Sequence, residues 1–287
     1  MRVAVVGAGR VGTGVAVLLQ RAGHRIEGVS GRGPTRDRAA RYLPGVPVRE
    51  AADAAAAAEL VVLGVPDDLI APTAEGLVAA GAVGPGRWVA HLSGATGLEA
   101  LRSVREAGAG RLAIHPLQTF PDVVSAIEGI PDCAIAVTAD DEGGYLVAER
   151  VGDDLLGVPF RLADDLRPLY HAAAVFASNY LVATSSVAAD LFAAAGVPDP
   201  LGAMQPLQRT TLENVVRLGP GAALTGPAVR GDAGTIDRNL EAVATVAPGA
   251  VGAYVAMARV ALDLAVRAGR LDDGARARVD EVLARWS

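Results

Sequence analysis

The residues of this 287-residue chain that could do chemistry sit mostly where short apolar runs end. Val3 to Val6 is a continuous apolar run of the kind that forms a strand buried on both faces. Gly7, Gly9 and Gly12 follow it in G-x-G-x-x-G spacing, after which Val15, Leu18 and Leu19 recur with helical period. Strand, tight turn and helix in that order make an anion cradle. Gly7 permits the turn, Gly9 has no Cβ to block a pyrophosphate, and Gly12 lets the helix lie close on the strand. Gly7, Ala8, Gly9, Arg10, Val11 and Gly12 are therefore candidates to bind a dinucleotide.

Three later run ends carry unusual residues: Val65, Pro66 and Asp67; His91 to Gly94 (HLSG); and His115 with Pro116. Ligands of open α/β sheets gather outside the carboxyl ends of the strands. A hydroxyl and an imidazole placed there, Ser93 and His115, can orient a carbonyl or relay a proton beside a nicotinamide. Val65, Pro66 and Gly94 read either as turn punctuation or as direct contacts with that ring. In the uncharged stretch from Pro168 to Ala189, His171 and Ser178 are seven apart, on one helical face, with Asn179 beside them. A buried hydroxyl such as that of Ser178 usually marks only a satisfied hydrogen bond, whereas Asn179 offers both donor and acceptor. Thr225 to Asp232 reads TGPAVRGD, so Arg230 and Asp232 are either part of a surface turn or a clamp for an anionic substrate.

The end of the second apolar run discriminates between dinucleotides. An acid there accepts from a ribose 2′-hydroxyl, and an arginine accommodates a 2′-phosphate. This chain offers Val29, Ser30, Gly31 and Arg32, with Arg36 and Arg38 close behind; Glu27 lies earlier in the strand. Arginine clusters are often only a solvated face, but at this position Ser30 and Arg32 favour NADP(H) over NAD.

Periodicity supplies the elements that position these groups. Strands are expected at Arg25 to Val29, Val46 to Val48, Leu60 to Val65, Trp88 to Leu92, Leu112 to His115, Ala134 to Val137 and Val158 to Leu162. Helices alternate with them at Thr35 to Tyr42, Ala51 to Ala58, Asp68 to Ala80, Gly97 to Ala107 and Gly143 to Leu155. That alternation predicts a doubly wound parallel sheet over residues 1–162. From Ala163 onward only helical patterns remain, which predicts an all-α domain over 163–287. The Pro168 to Ala189 stretch contains His171, Ser178, Asn179 and Thr184, too polar for lipid, and is expected as the buried central helix of that domain.

Charged residues make up 20% of the chain and apolar ones 51%, an ordinary globular balance, and the net charge of -6 argues against nucleic acid or an anionic membrane as partner. One cysteine, Cys133, cannot form an internal disulfide and fits a reducing, cytoplasmic compartment. The chain has no lysine; all 26 basic residues are arginine, so no Schiff base or lysine ammonium is available. No metal site is expected.

GAGRVG, HLSG at Ser93, IHPLQTF at His115, SNYL at Asn179 and GPAVRGD at Arg230 together resemble the 6-phosphogluconate dehydrogenase-like superfamily. Within it they look most like Rossmann-like proteins whose helical half is a domain without an agreed activity. The resemblance spans nearly the whole chain and implies NADP in the amino-terminal domain, a cleft between domains and a homodimer formed through the helices. Hydroxyacid dehydrogenases and ketopantoate reductases of the superfamily place a lysine four residues before an asparagine. If Asn179 is that asparagine, the lysine position is Val175, and His171 or His115, whose His-Pro is similar to that of prephenate dehydrogenases, must replace the acid.

The expectation is thus an NADPH-dependent reductase of a small carbonyl or imine compound, a 2-oxo acid such as ketopantoate among the candidates. Asn179 and Ser93 position the acceptor, a histidine gives the proton, and Arg230 holds a carboxylate, with Asp232 beside it as a further substrate-binding candidate. The alternatives are a deazaflavin-linked NADP reductase and a non-catalytic nucleotide sensor.

Overall fold

Seven short strands pair into one sheet: β1 (Arg2–Val6), β2 (Arg25–Ser30), β3 (Leu60–Leu63), β4 (Trp88–His91), β5 (Gly110–Pro116), β6 (Ala134–Ala139) and β7 (Val158–Arg161), in the spatial order β2-β1-β3-β4-β5-β6-β7. The computed structural model describes residues 1–287. Alternation along β1 sends Val3 and Val5 to one face and Ala4 and Val6 to the other, so the sheet has two cores. The first is covered by α1 (Arg10–Arg21), α2 (Thr35–Tyr42), α6 (Val123–Gly129) and α7 (Glu142–Asp154). The second is covered by α3 (Ala51–Ala56), α4 (Ile70–Ala79) and α5 (Arg102–Glu106). This is the expected doubly wound architecture.

Three expectations need correction. Val46 to Val48 is not a strand: Val48 makes one isolated parallel bridge to Val29, because Pro47 has no N–H to continue a ladder. The sheet is mostly parallel, but β6 runs antiparallel to β5, with Leu112 opposite Ala139 and Pro116 opposite Ile135. Between them α6 packs on α1 without carrying the chain back across the sheet, so β6 starts at the end where β5 stops. Finally, the long apolar helix is neither regular nor buried. It comprises α8 (Arg167–Ala174), a π turn (Val175–Asn179) and α9 (Tyr180–Ala194), and no residue of α9 is buried.

The chain divides into two compact units, Met1–Ser178 and Asn179–Ser287, later than the expected limit at 162. The first unit keeps α8 because Arg167, wholly buried, bonds to residues of the β4 loop and of β6. The second unit also contains α10 (Pro200–Leu218), the one-turn α11 (Pro220–Ala223), α12 (Ala233–Val246), α13 (Val251–Arg267) and α14 (Asp273–Arg285). Its core is built by α12, α13 and α14, through Ile236, Leu240, Val255, Leu262, Val279 and Leu283. That leaves α9 lying against α10, where Gln208 Nε2 donates to Ser185 Oγ at 2.7 Å. Asp164–Ala194 and Pro248–Arg267 are each long and apolar enough to cross a membrane by length and composition.

Candidate functional site

The glycine turn fits a pyrophosphate in a way that distinguishes its three glycines. Gly7 has φ +91°, and a Cβ there would lie 2.6 Å from the Gly64 carbonyl carbon. A Cβ on Gly12 would collide with the Gly7 carbonyl oxygen and sit 3.2 Å from Val5 Cγ1. Around Gly9 only the Gly7 oxygen comes as near as 4.0 Å, so that glycine is not demanded by packing and its open face is a cradle a side chain would fill. Arg10, Val11 and Gly12 form the first turn of α1, where amides lack helical partners and no acid is present. Ala8 contributes differently: its N–H and that of Gly7 both donate to Ser30 O at 2.8 Å, which locks the turn to the end of β2.

Beyond Ser30, Arg32 is exposed and its guanidinium makes no bond within the protein. Arg38 is committed, donating through Nε to Ala8 O at 2.9 Å and through a terminal nitrogen to Thr35 Oγ1 at 3.2 Å.

The carboxyl ends of β1, β3, β4 and β5 surround a cleft of about 180 Å³ lined by Val11, Val65, Asp67, Ser93, His115 and Phe120 among others. The sequence-expected Val65, Ser93 and His115 thus meet at one place, with Gly94 buried beside them; Pro66 is exposed next to Val65. Ser93 Oγ donates to Asp67 Oδ2 at 2.6 Å and accepts from the Ala95 and Thr96 amides at 3.2 and 3.0 Å. Its hydroxyl is therefore occupied in shaping the loop, with Thr96 Oγ1 adding a second bond to Asp67 at 3.2 Å. His91, 0% exposed, accepts from the Ser93 amide at Nδ1, and burial followed by the nearby Arg167 charge lowers its pKa to about 3.

His115 is held by α8. Its Nδ1 lies 2.8 Å from the Tyr170 hydroxyl, and the two rings meet edge to face with centroids 5.5 Å apart. Burial, then the charges of Arg167 and His171, bring the His115 pKa down to about 4. Gly94 makes room for this arrangement: a Cβ there would stand 2.8 Å from His115 Nε2 and 3.0 Å from His171 Nδ1. His171 Nδ1 is buried without a partner. Arg167 Nε donates to Thr96 O at 2.8 Å, and its two terminal nitrogens donate to Thr138 Oγ1 at 2.8 Å and Ser93 O at 2.5 Å. None of these acceptors is a carboxylate.

The remaining expected residues belong to the second unit. Asn179 is exposed at the end of the π turn, which breaks the regular spacing that would set Ser178 under His171. Asp232 caps α12, accepting from Thr235 N at 3.0 Å and Thr235 Oγ1 at 2.7 Å, which explains it without a ligand; Arg230 is exposed. Sequence reasoning gave Asp67 no role and missed Tyr170 and Arg167, which hold His115 and the Ser93 loop from behind the cleft. Their only signal was the placing of an acid at a strand end and of an arginine and a phenol at the start of an otherwise uncharged helix.

A glycine cradle at the carboxyl edge of a doubly wound sheet, followed by a helical unit, defines a two-domain Rossmann-type protein. Family models agree: residues 1–116 match a Rossmann-like domain and residues 133–261 match a domain of unknown function, DUF2520. The chain therefore joins a match to a Rossmann-like domain with a match to this helical domain. No curated protein matches it. Among solved structures it resembles a protein provisionally named an NADP oxidoreductase from Bacteroides fragilis, at 23% identity over 91% of this chain and 98% of that one, TM-score 0.75. A protein of Thermotoga maritima is 21% identical over 93% and 100%, TM-score 0.70. An imine reductase from Myxococcus stipitatus in complex with NADP+ is 18% identical over 100% and 99%, TM-score 0.66.

Proposed function

We propose that this protein is an NADPH-dependent oxidoreductase acting on the C=O or C=N bond of a small molecule. The observation that carries the reading is that the helix opened by the open-faced Gly9 lends Val11 to the cleft that His115 lines, and that His115 Nε2 makes no hydrogen bond within the protein. The named activities and bound NADP+ of the similar structures support it. Gly7 to Gly12 would hold the pyrophosphate and Arg32 the 2′-phosphate, and the nicotinamide would supply hydride. His115 is neutral at physiological pH, so it serves by donating a hydrogen bond to the acceptor oxygen or nitrogen, and an imidazolium is not its working form. Asn179 and Arg230 are proposed as substrate-binding residues, Arg230 for a carboxylate.

The test is single-turnover oxidation of NADPH against cyclic imines, 2-oxo acids including ketopantoate, and a deazaflavin. Consumption with an imine or oxo acid supports the reading. Consumption with the deazaflavin alone transfers the protein to flavin-linked reduction, and NADPH binding with no consumption makes it a sensor.

For the exposed α9 we propose a second copy of the chain as the cover. A face bearing Leu181 at 38% and Val182 at 70% exposure, with no charge from Pro168 to Ala189, is unsuited to water. Its hydroxyls and the charged Arg209, Glu213 and Arg217 on neighbouring α10 suit a protein partner in the cytoplasm better than lipid. Light scattering should give twice the chain mass without detergent; a monomer, or a protein that needs detergent to stay in solution, refutes it.

A further inference from the structure

The cleft poses a proton problem. Reduction of a carbonyl leaves an alkoxide that must be protonated, but the chain has no lysine, and burial holds His115 in its neutral form. A neutral imidazole cannot give up its only N–H without becoming an imidazolate, unless its other nitrogen receives a proton in the same event. Here that other nitrogen, Nδ1, lies 2.8 Å from the hydroxyl of Tyr170.

We propose that Tyr170, His115 and Arg167 form a proton relay, in which Tyr170 is the source, His115 the conductor and the Arg167 guanidinium the counter-charge. This rests on the reductase reading of the same cleft. In the step, His115 Nε2–H breaks as the substrate O–H forms, and the Tyr170 O–H breaks as His115 Nδ1–H forms. The negative charge passes from alkoxide to phenolate. After product leaves, water protonates His115 Nε2 as Nδ1–H returns its proton to the Tyr170 phenolate, so one proton from solvent restores both the Nε2–H tautomer and the phenol.

Three observations carry this. First, the tautomer follows from hydrogen-bond satisfaction. The Tyr170 hydroxyl has no other protein acceptor, so it donates to Nδ1, which leaves the hydrogen of the neutral imidazole on Nε2. Second, Nε2 has no protein partner and His115 lines the cleft, so the N–H is available to a ligand. Third, Arg167 is wholly buried yet bonds only to two carbonyls and a hydroxyl, so its charge is not neutralised by a contacting carboxylate. A buried cation three residues before Tyr170 favours the phenolate. The Tyr170 pKa of about 12 reflects burial raising it and Arg167 pulling it back. The other titratable groups facing the pair are His171 on α8, Asp67 after β3, His91 on β4 and Cys133 before β6.

Tyr170 acts through His115 and is a positioning residue as well as a proton source, so its test needs a signal independent of turnover. With only four histidines, nitrogen-15 NMR of histidine-labelled protein resolves each ring, and His115→Gln assigns the His115 signals. The expected result is an Nε2–H tautomer for His115 at neutral pH that becomes mixed in Tyr170→Phe. An Nδ1–H tautomer in the parent, or an Nε2–H tautomer that Tyr170→Phe leaves unchanged, overturns the relay. With a carbonyl substrate in hand, the single-turnover rate should be flat through neutral pH, Tyr170→Phe should lose roughly 10² to 10⁴-fold with NADPH affinity kept, and Tyr170→Phe with His115→Gln should lose no more than the worse single variant. A Tyr170→Phe rate equal to the parent's also overturns it. If the parent oxidises no NADPH at all, the reductase reading fails by itself while the tautomer result still judges the Tyr170–His115 bond.

Discussion

Gly9 and Gly12 share one turn of chain and meet opposite demands, open space for the first and a carbonyl oxygen for the second. Gly9→Val should therefore melt like the parent in circular dichroism yet bind neither NADPH nor NADH. Gly12→Ala should lose about 1 to 3 kcal/mol of stability from overpacking. A folded Gly9→Val that binds NADPH normally would show that the open face is not the phosphate's. Arg32→Ala should weaken NADPH about tenfold or more, a charge-assisted contact of roughly 1.5 to 3 kcal/mol, and leave NADH nearly unchanged. Equal loss for both would remove Arg32 from the 2′-phosphate. The glycine turn was legible in the sequence because its geometry is set largely by near neighbours in the chain. Tyr170 and Arg167 were not, since their partners His115 and Ser93 lie 55 and 74 residues away.

Among the elements, α8 owes its place to one side chain. Arg167 ties the loop after β4 to Thr138 of β6, so Arg167→Met strands two carbonyls and a hydroxyl in the interior. The first unit should lose about 2 to 4 kcal/mol. With Trp286→Phe as background, Trp88 is the sole tryptophan and its fluorescence in urea reads that unit alone; an unchanged midpoint would mean the clamp is ornamental. Strand and helix periods were readable from the apolar pattern, and β1 to β5 form as expected. The direction of β6 was hidden, because a strand of Ala134–Ala139 presents the same faces whichever way it runs. The exposure of α9 was hidden too, since an apolar helix carries no record of whether its cover comes from its own chain or another.

For the molecule as a whole, acid is the weak side. His91 and His115 have folded pKa values of about 3 and 4, below the unfolded value of 6.5. The fold prefers both neutral, so their contribution is fully present above pH 6.5 and is lost as pH falls toward those lower values. From pH 7 to 5 the first unit should lose about 2 kcal/mol for each of the two, and His91→Gln should halve the slope. A slope that His91→Gln leaves intact would place the acid sensitivity elsewhere.

Both borders of the sheet are shut. β7 is four residues long, with Pro159 lacking an N–H and Arg161 bound by Glu142 and Glu149; on the other side Val29 of β2 spends its N–H on Pro47 O and its carbonyl on Arg49 N. A strand from another chain finds only a short and interrupted ladder to join. Partly acid-loosened molecules are therefore expected to be slow to take the edge-to-edge route into fibrils, and a cross-β dye signal growing at pH 5 would contradict this.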